Sequence, residues 1–172
     1  MVKDESTKVF SAKQEKLVAE ILGGKVVVGS GSRPVDPGDV KSYDWLAECK
    51  THVEPGHTIF FDSAVWAKIC KEADGTHRKP VLIVDDGSQK EVNTWCLCKP
   101  FNIDCSHLLS IDYPFPIRKN ISARNDKLKS ILDSTIKSYL GEFYIGGYYE
   151  VEWEGQIVAV MPISTFKEVC DN

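Results

Sequence analysis

An α/β fold, a mixed β-sheet flanked by helices, is predicted by three observations. Helix-period and strand-period segments alternate along 172 residues, with no internal repeat and no linker-like stretch. One run, Pro80-Val-Leu-Ile-Val84, is apolar without alternation, as expected of a strand covered on both faces. The composition, 42% hydrophobic and 27% charged, is that of an average soluble domain and excludes disorder or collagen-like repeats.

The elements follow in order. Residues 11–22 (SAKQEKLVAEIL) place Leu17, Val18, Ile21 and Leu22 on one helical stripe and stop at Gly23-Gly24. At ~100° per residue, Glu15 falls at the edge of that stripe and Glu20 nearly opposite, in water. Residues 25–28 (KVVV) read as a short buried strand, and 29–38 as a loop rich in glycine and proline. Residues 39–42 and 45–51 read as a tight hairpin around Tyr43-Asp44. After a loop, residues 62–73 form a helix with Asp62 as N-cap and Val65, Trp66, Ile69 and Cys70 inward. Strands are expected at 80–84 and 91–97. Residues 99–121, with Pro100, Pro114 and Pro116, read as irregular, and 122–139 as a longer basic helix. A second hairpin, 148–153 with 156–160, turns at Glu154-Gly155, and Thr165-x-x-Glu168 is a capping-box pattern for a short last helix.

The formal charge of −4 is unevenly placed. From Glu142 onward six acids face one base, Lys167, which leaves 19 acids and 20 bases in residues 1–141. Charge therefore does not exclude a polyanion. Arg118, Lys119, Arg124, Lys127 and Lys129 crowd together with Asp126 among them, which suits either a phosphate-contacting surface or a solvated helix face. No apolar run approaches the ~20 residues of a membrane span, so no membrane partner is expected. The opening MVKDESTK lacks the apolar core of an export signal, and six cysteines are then expected as free thiols in the reducing cytoplasm. Cys96, Cys98, Cys105 and His107 are the residue types of a zinc site, although C-x-C is not the usual spacing. On a strand, Cys96 and Cys98 share one face and suit core packing instead.

The residues that carry chemistry are Glu15, Asp39 and Glu48-Cys49-Lys50. Pairing of the two hairpin strands brings Asp39 beside the strand of Glu48. Alternation sets Leu46, Glu48 and Lys50 on one face and Trp45, Ala47 and Cys49 on the other, a charged front with an apolar back. Two carboxylates on adjacent strands suit a hard cation such as Mg²⁺, with the Cys49 carbonyl as a further oxygen. Lys50 would hold, or help deprotonate, the attacking water. Glu15 reaches the same site or a second metal, and Asp36 is an alternative to Asp39. The Gly29-Ser-Gly31 segment lacks the third glycine and the following helix of a dinucleotide loop.

This order of elements resembles the PD-(D/E)xK nuclease superfamily, and more closely its archaeal-type Holliday junction resolvases and their phage relatives. In that family a glutamate-bearing helix, a strand, a Ser/Gly-rich loop, Pro-x-Asp-hydrophobic and a Glu-x-Lys hairpin follow one another. Here Glu15, residues 25–28, Gly29-Ser-Gly-Ser32, Pro37-Gly-Asp39-Val40 and Glu48-Cys-Lys50 match them, over about residues 11–85. The resemblance implies a restriction-endonuclease-like mixed central sheet flanked by helices, and the residues beyond it add a C-terminal α+β segment. The expected organisation is a single nuclease domain over 1–172, with a catalytic core at about 11–98 and a helix–hairpin–helix extension at about 120–172. The implied activity is Mg²⁺-dependent hydrolysis of phosphodiesters in branched DNA by a homodimer, with Mn²⁺ substituting. Its setting would be recombination, replication or phage DNA processing in the cytoplasm, a phage's host included. Ser30 or Ser32 would then lie near the scissile phosphate and Arg33 on backbone phosphate. Lys68, Lys71, Arg118, Lys119, Arg124 and Lys127 would line the DNA path. The hairpin is shorter than usual in the archaeal proteins, and residues 95–172 have no counterpart there. The rival readings are a duplex-cutting restriction- or repair-type nuclease of the same superfamily and a non-catalytic nucleic-acid or protein-binding module.

Overall fold

Alternation along the strands decides which layer each residue joins. The computed structural model describes residues 2–29, 36–103, 115–117, 121–123 and 149–170. In chain order the elements are α1 (Val2–Leu22), β1 (Lys25–Val26), β2 (Val40–Lys41), β3 (Trp45–Lys50), β4 (Ile59–Phe61) and α2 (Ser63–Asp74). Then come β5 (Lys79–Asp85), β6 (Thr94–Cys98), β7 (Phe115–Ile117), β8 (Ile121–Ala123), β9 (Tyr149–Trp153), β10 (Gln156–Pro162) and α3 (Ile163–Cys170). Eight strands form one sheet in the order β1-β2-β3-β5-β6-β10-β9-β7, and β4 pairs with β8 in a second, two-stranded sheet. The β3–β5 and β7–β9 pairs are parallel and the other neighbours antiparallel, so the large sheet is mixed. The architecture is α/β, as the sequence predicts.

On one face Leu46, Leu82, Val84, Trp95, Leu97, Val151 and Trp153 pack with Trp66 and Ile69 of α2 and with Ile59 and Phe61 of β4. On the other, Trp45, Ala47, Val81, Ile83, Cys96, Cys98 and Met161 pack with Val18 of α1 and Phe166 of α3. Trp45 and Phe166 meet edge to face, ring centroids 4.8 Å apart. A strand covered on both sides cannot alternate with polar residues, and β5 is buried from Pro80 to Asp85. Cys96 and Cys98 are fully buried on the α1/α3 side, in line with packing.

Local chemistry sets the helix ends. Asp62 Oδ1 accepts from the backbone N–H of Ala64 at 2.8 Å and of Val65 at 3.4 Å, satisfying donors that the first turn of α2 leaves unpaired. At the end of α1, Gly24 N–H donates to the Ala19 carbonyl and Gly23 N–H to that of Glu20, the paired bonds that close a helix.

Other elements differ from expectation. Helix α1 runs back through the polar leader to Val2. Strand β1 is exposed, not buried: it is the outermost strand, Lys25 and Val26 are open to solvent, and Val28 is 91% exposed. Residues 59–61, read as loop, form β4, whose three residues are too few for a periodic signal although Ile59 and Phe61 are buried and Phe60 is not. The strand expected at 91–97 is a 3-10 turn, Glu91–Asn93, followed by β6. The stretch read as irregular holds a second 3-10 turn, Pro100–Asn102, and β7, where Pro116 is tolerated on an edge strand. The basic helix does not begin at 122, because residues 121–123 are β8, paired with β4; the remainder, 124–139, lies outside the described residues. Thr165 does not cap α3, which starts two residues earlier at Ile163. The second hairpin does turn at Glu154-Gly155, both with positive φ, the turn hand that matches strand twist. Its β10 pairs with β6, so the hairpin continues the large sheet. Among the described residues no helix is long and apolar enough to cross a membrane.

Candidate active site

The β2–β3 hairpin assembles the site. Ser42 N–H donates to the Trp45 carbonyl at 2.9 Å, and Trp45 N–H to the Ser42 hydroxyl at 3.1 Å. Val40 therefore pairs with Ala47 and Lys41 with Leu46. Asp39 prolongs the ladder: its N–H donates to Ala47 and its carbonyl accepts from Val27, both at 2.8 Å. Asp39 Oδ2 accepts from Cys49 N–H at 2.8 Å. The N–H and C=O of one strand residue point the same way, so the Cys49 carbonyl faces Asp39 too. Asp36 instead forms a surface pair with Lys41 at 3.2 Å, which decides for Asp39 as the carboxylate against β3.

Glu48 and Lys50 share the Leu46 face, as alternation requires. That face is not an open front. It is core under α2, and Glu48 is 4% exposed. A carboxylate this buried has to be paired. Lys50 Nζ lies 2.7 Å from Oε1, and Lys68 Nζ of α2 lies 3.5 Å from Oε2. Lys68 also reaches Glu72 at 3.7 Å, and Glu72 Oε2 accepts from Gly38 N–H at 3.2 Å. The ammonium groups are half exposed, so each pair contributes at most about 1 kcal/mol. Their effect is positional: α2 is tied both to Glu48 and to the segment carrying Asp39. Lys68, expected on a DNA path, is a partner of Glu48, while Lys71 is exposed near the end of α2.

Glu15 belongs to the same neighbourhood. Burial first, then the charges of Asp39 and Glu48, push its carboxyl up to about 7, with Lys50 opposing. Burial, with Asp39 and the other acids, also raises the Cys49 thiol, so Cys49 offers a carbonyl and not a thiolate. Burial would lower the Lys50 ammonium, but the hydrogen bond and charge of Glu48 outweigh it and hold the group above its ordinary value. Lys50 is thereby held as an ammonium against Glu48, 2.7 Å from Oε1.

A stability test follows from the sign of the Glu15 shift. A carboxyl raised from 4.5 to about 7 contributes stability that is complete below about pH 4.5 and lost as pH rises through about 7. Glu15→Gln keeps the neutral form throughout. Its melting temperature should therefore fall less than the wild type's across that window, and equal slopes in a thermal-melting series would contradict the placement of Glu15.

Gln14 escaped the sequence reading. It is fully buried, its Nε2 donates to the Lys50 carbonyl at 2.8 Å, and its Oε1 has no partner among the described residues. The available signal was its position, four residues before Val18 and seven before Ile21, on the buried stripe of α1. Beyond Lys50 a polar knot joins two loops. Asp85 Oδ1 accepts from Thr51 Oγ1 at 2.5 Å and from Gly87 N–H at 2.8 Å. Gln89 Nε2 donates to Thr51 Oγ1 and to the carbonyls of His52 and Gly87. The His52 and His57 rings stack with centroids 4.2 Å apart.

Among the described residues, no three His, Cys, Asp or Glu side chains are grouped to hold a metal ion. Mg²⁺ needs no such cage, since one or two carboxylates, waters and a substrate phosphate complete its shell. Asp39, Glu48 and the Cys49 carbonyl are hard oxygen donors and fit that chemistry. Ser30, Ser32, Arg33, Cys105, His107, Arg118, Lys119, Arg124 and Lys127 lie outside the described residues. No family model, no curated protein and no solved structure matches this chain.

Proposed function

We propose that the chain is a Mg²⁺-dependent DNA endonuclease of the PD-(D/E)xK type acting on branched DNA, most like a Holliday junction resolvase with a restriction-endonuclease-like core. The observation that supports it is the hairpin, which sets Asp39 on the backbone of Cys49 while Glu48 and Lys50 flank that residue as a 2.7 Å ion pair. Asp39, Glu48 and the Cys49 carbonyl would hold Mg²⁺, or Mn²⁺ in its place, with Glu15 beside them. Such an ion, when bound, polarises a phosphoryl oxygen and lowers the pKa of a water. Lys50 supplies a fixed positive charge for the water or the phosphate, and Gln14 holds the Lys50 backbone from behind. Arg33, one of Ser30 and Ser32, Lys71 and the bases from Arg118 to Lys127 complete the proposed DNA contacts. A four-way junction offers two equivalent strands, which a two-fold homodimer matches.

The test is incubation of a four-way junction and a linear duplex of equal sequence with Mg²⁺, with Mn²⁺ and with chelator. Metal-dependent cutting of the junction is expected. Equal cutting of the duplex would move the reading to a restriction- or repair-type nuclease. Absence of any cutting would leave a binding module.

A further inference from the structure

Next to Lys50, on the α2 side of the sheet, lies a cavity of about 220 Å³. Phe60 of β4, Val65 of α2 and Leu82 and Val84 of β5 give it apolar walls, with Lys50 and His52 also lining it. Register explains its place: Glu48 pairs with Leu82 and Lys50 with Val84, so the ion pair and the cavity floor are adjacent positions on one face. Phe60 is 40% exposed although Ile59 and Phe61 on either side are fully buried. The space is smaller than the ~300–1,000 Å³ of pockets that enclose drug-sized ligands, and it suits a single flat ring system. Asp62, the acid on the lining, is committed through Oδ1 to the N-terminus of α2. A flat, largely apolar ring joined to an anion fits an apolar slot with an ammonium at its edge.

We propose that this cavity receives one unpaired base of the DNA strand whose phosphate lies at Lys50, stacked on Phe60. The proposal rests on the nuclease reading and narrows its substrate class. The strand must release a base beside the cut, which a branch point does more cheaply than a continuous duplex. Stacking on a phenyl ring is tolerant of sequence, so Phe60 confers a preference for structure and not for a particular base.

The experiment is a binding cycle on four-way junctions, with Ca²⁺ in place of Mg²⁺ to hold back cleavage. Wild type and Phe60→Ala are each titrated with an intact junction and with junctions made abasic, one at a time, at the nucleotides flanking the cut. At one position the abasic junction should bind wild type about 5- to 140-fold more weakly, the range of one base–aromatic stack. Phe60→Ala should show a loss of similar size on the intact junction and no further loss at that position, because both changes remove the same contact. Val65→Phe, which fills the cavity instead of opening it, should reproduce the loss, with melting temperatures confirming that both variants fold. If the losses at every position simply multiply, or both variants bind like wild type, the cavity proposal falls while junction cutting keeps the nuclease reading. If wild type neither binds nor cuts any DNA, both fall.

Discussion

Asp39→Asn and Glu48→Gln should each abolish metal-dependent junction cleavage while junction binding survives. Each change keeps the shape of the side chain and removes its charge. An asparagine at 39 still offers a carbonyl oxygen to the Cys49 N–H, so the hairpin bond of 2.8 Å need not be lost. A glutamine at 48 still accepts from Lys50, and the two ammonium groups it leaves without an anionic partner, those of Lys50 and Lys68, are half exposed, so the fold should persist. The loss should therefore appear in chemistry. Removing a hard anionic ligand forfeits several kcal/mol of charge stabilisation in the reaction, on the order of a thousand-fold in rate. On the proposed reading, binding would rest instead on basic side chains and phosphates, and its affinity should keep the wild type's salt dependence. Single-turnover cleavage and a salt series of binding curves read the two parts separately. Retained cleavage by both variants in Mg²⁺ would remove Asp39 and Glu48 from the reaction.

The parts of the molecule legible in the sequence are those that local chemistry decides. Asp62 caps because of its own carboxylate, Tyr43-Asp44 turns a hairpin because the flanking strands are short and close, and Pro80–Val84 is buried because it has no polar residue to expose. Glu15 at the edge of the α1 stripe follows from the 3.6 period, and Asp39 beside β3 from the tight hairpin, although the sequence left Asp36 as its alternative until Lys41 claimed Asp36. What stayed hidden is what a second element contributes. Alternation placed Glu48 and Lys50 on one face correctly, but a strand's own residues do not say how many layers cover it, and α2 turned the expected front into core. Lys68 looked like one more surface base until the crossing of α2 over β3 set it against Glu48. The same limit explains β8: three residues of a basic segment become a strand because β4 is there to pair with them.

Gly87→Ala should be among the most destabilising single methyl additions in the described structure. Gly87 has φ +96°, a conformation L residues rarely adopt, and a Cβ there would run into the Glu54 carbonyl, whose carbon lies 2.7 Å away, and would lie 3.1 Å from the His52 Cβ. The backbone strain costs about 1–2 kcal/mol. Relieving the clash means separating the 51–58 loop from the 85–89 turn, where Gln89 grips the His52 carbonyl, His57 N–H donates to the Asp86 carbonyl and Thr51 donates to Asp85. Asp85 is fully buried and its Oδ2 already lacks a partner among the described residues, so loosening the bonds to Oδ1 adds about 1–3 kcal/mol. Together these amount to roughly 3 kcal/mol or more, about 10 °C in melting temperature for a chain of this size. Gly56→Ala is the internal control. It lies in the same loop at φ +83°, with nothing within 4 Å of its Cβ position, so it should show the backbone strain alone. If the two alanine variants melt within about 2 °C of each other, the docking of these loops is not what holds the end of β3. Thr51, the residue after Lys50, would then be free to move without cost to the fold.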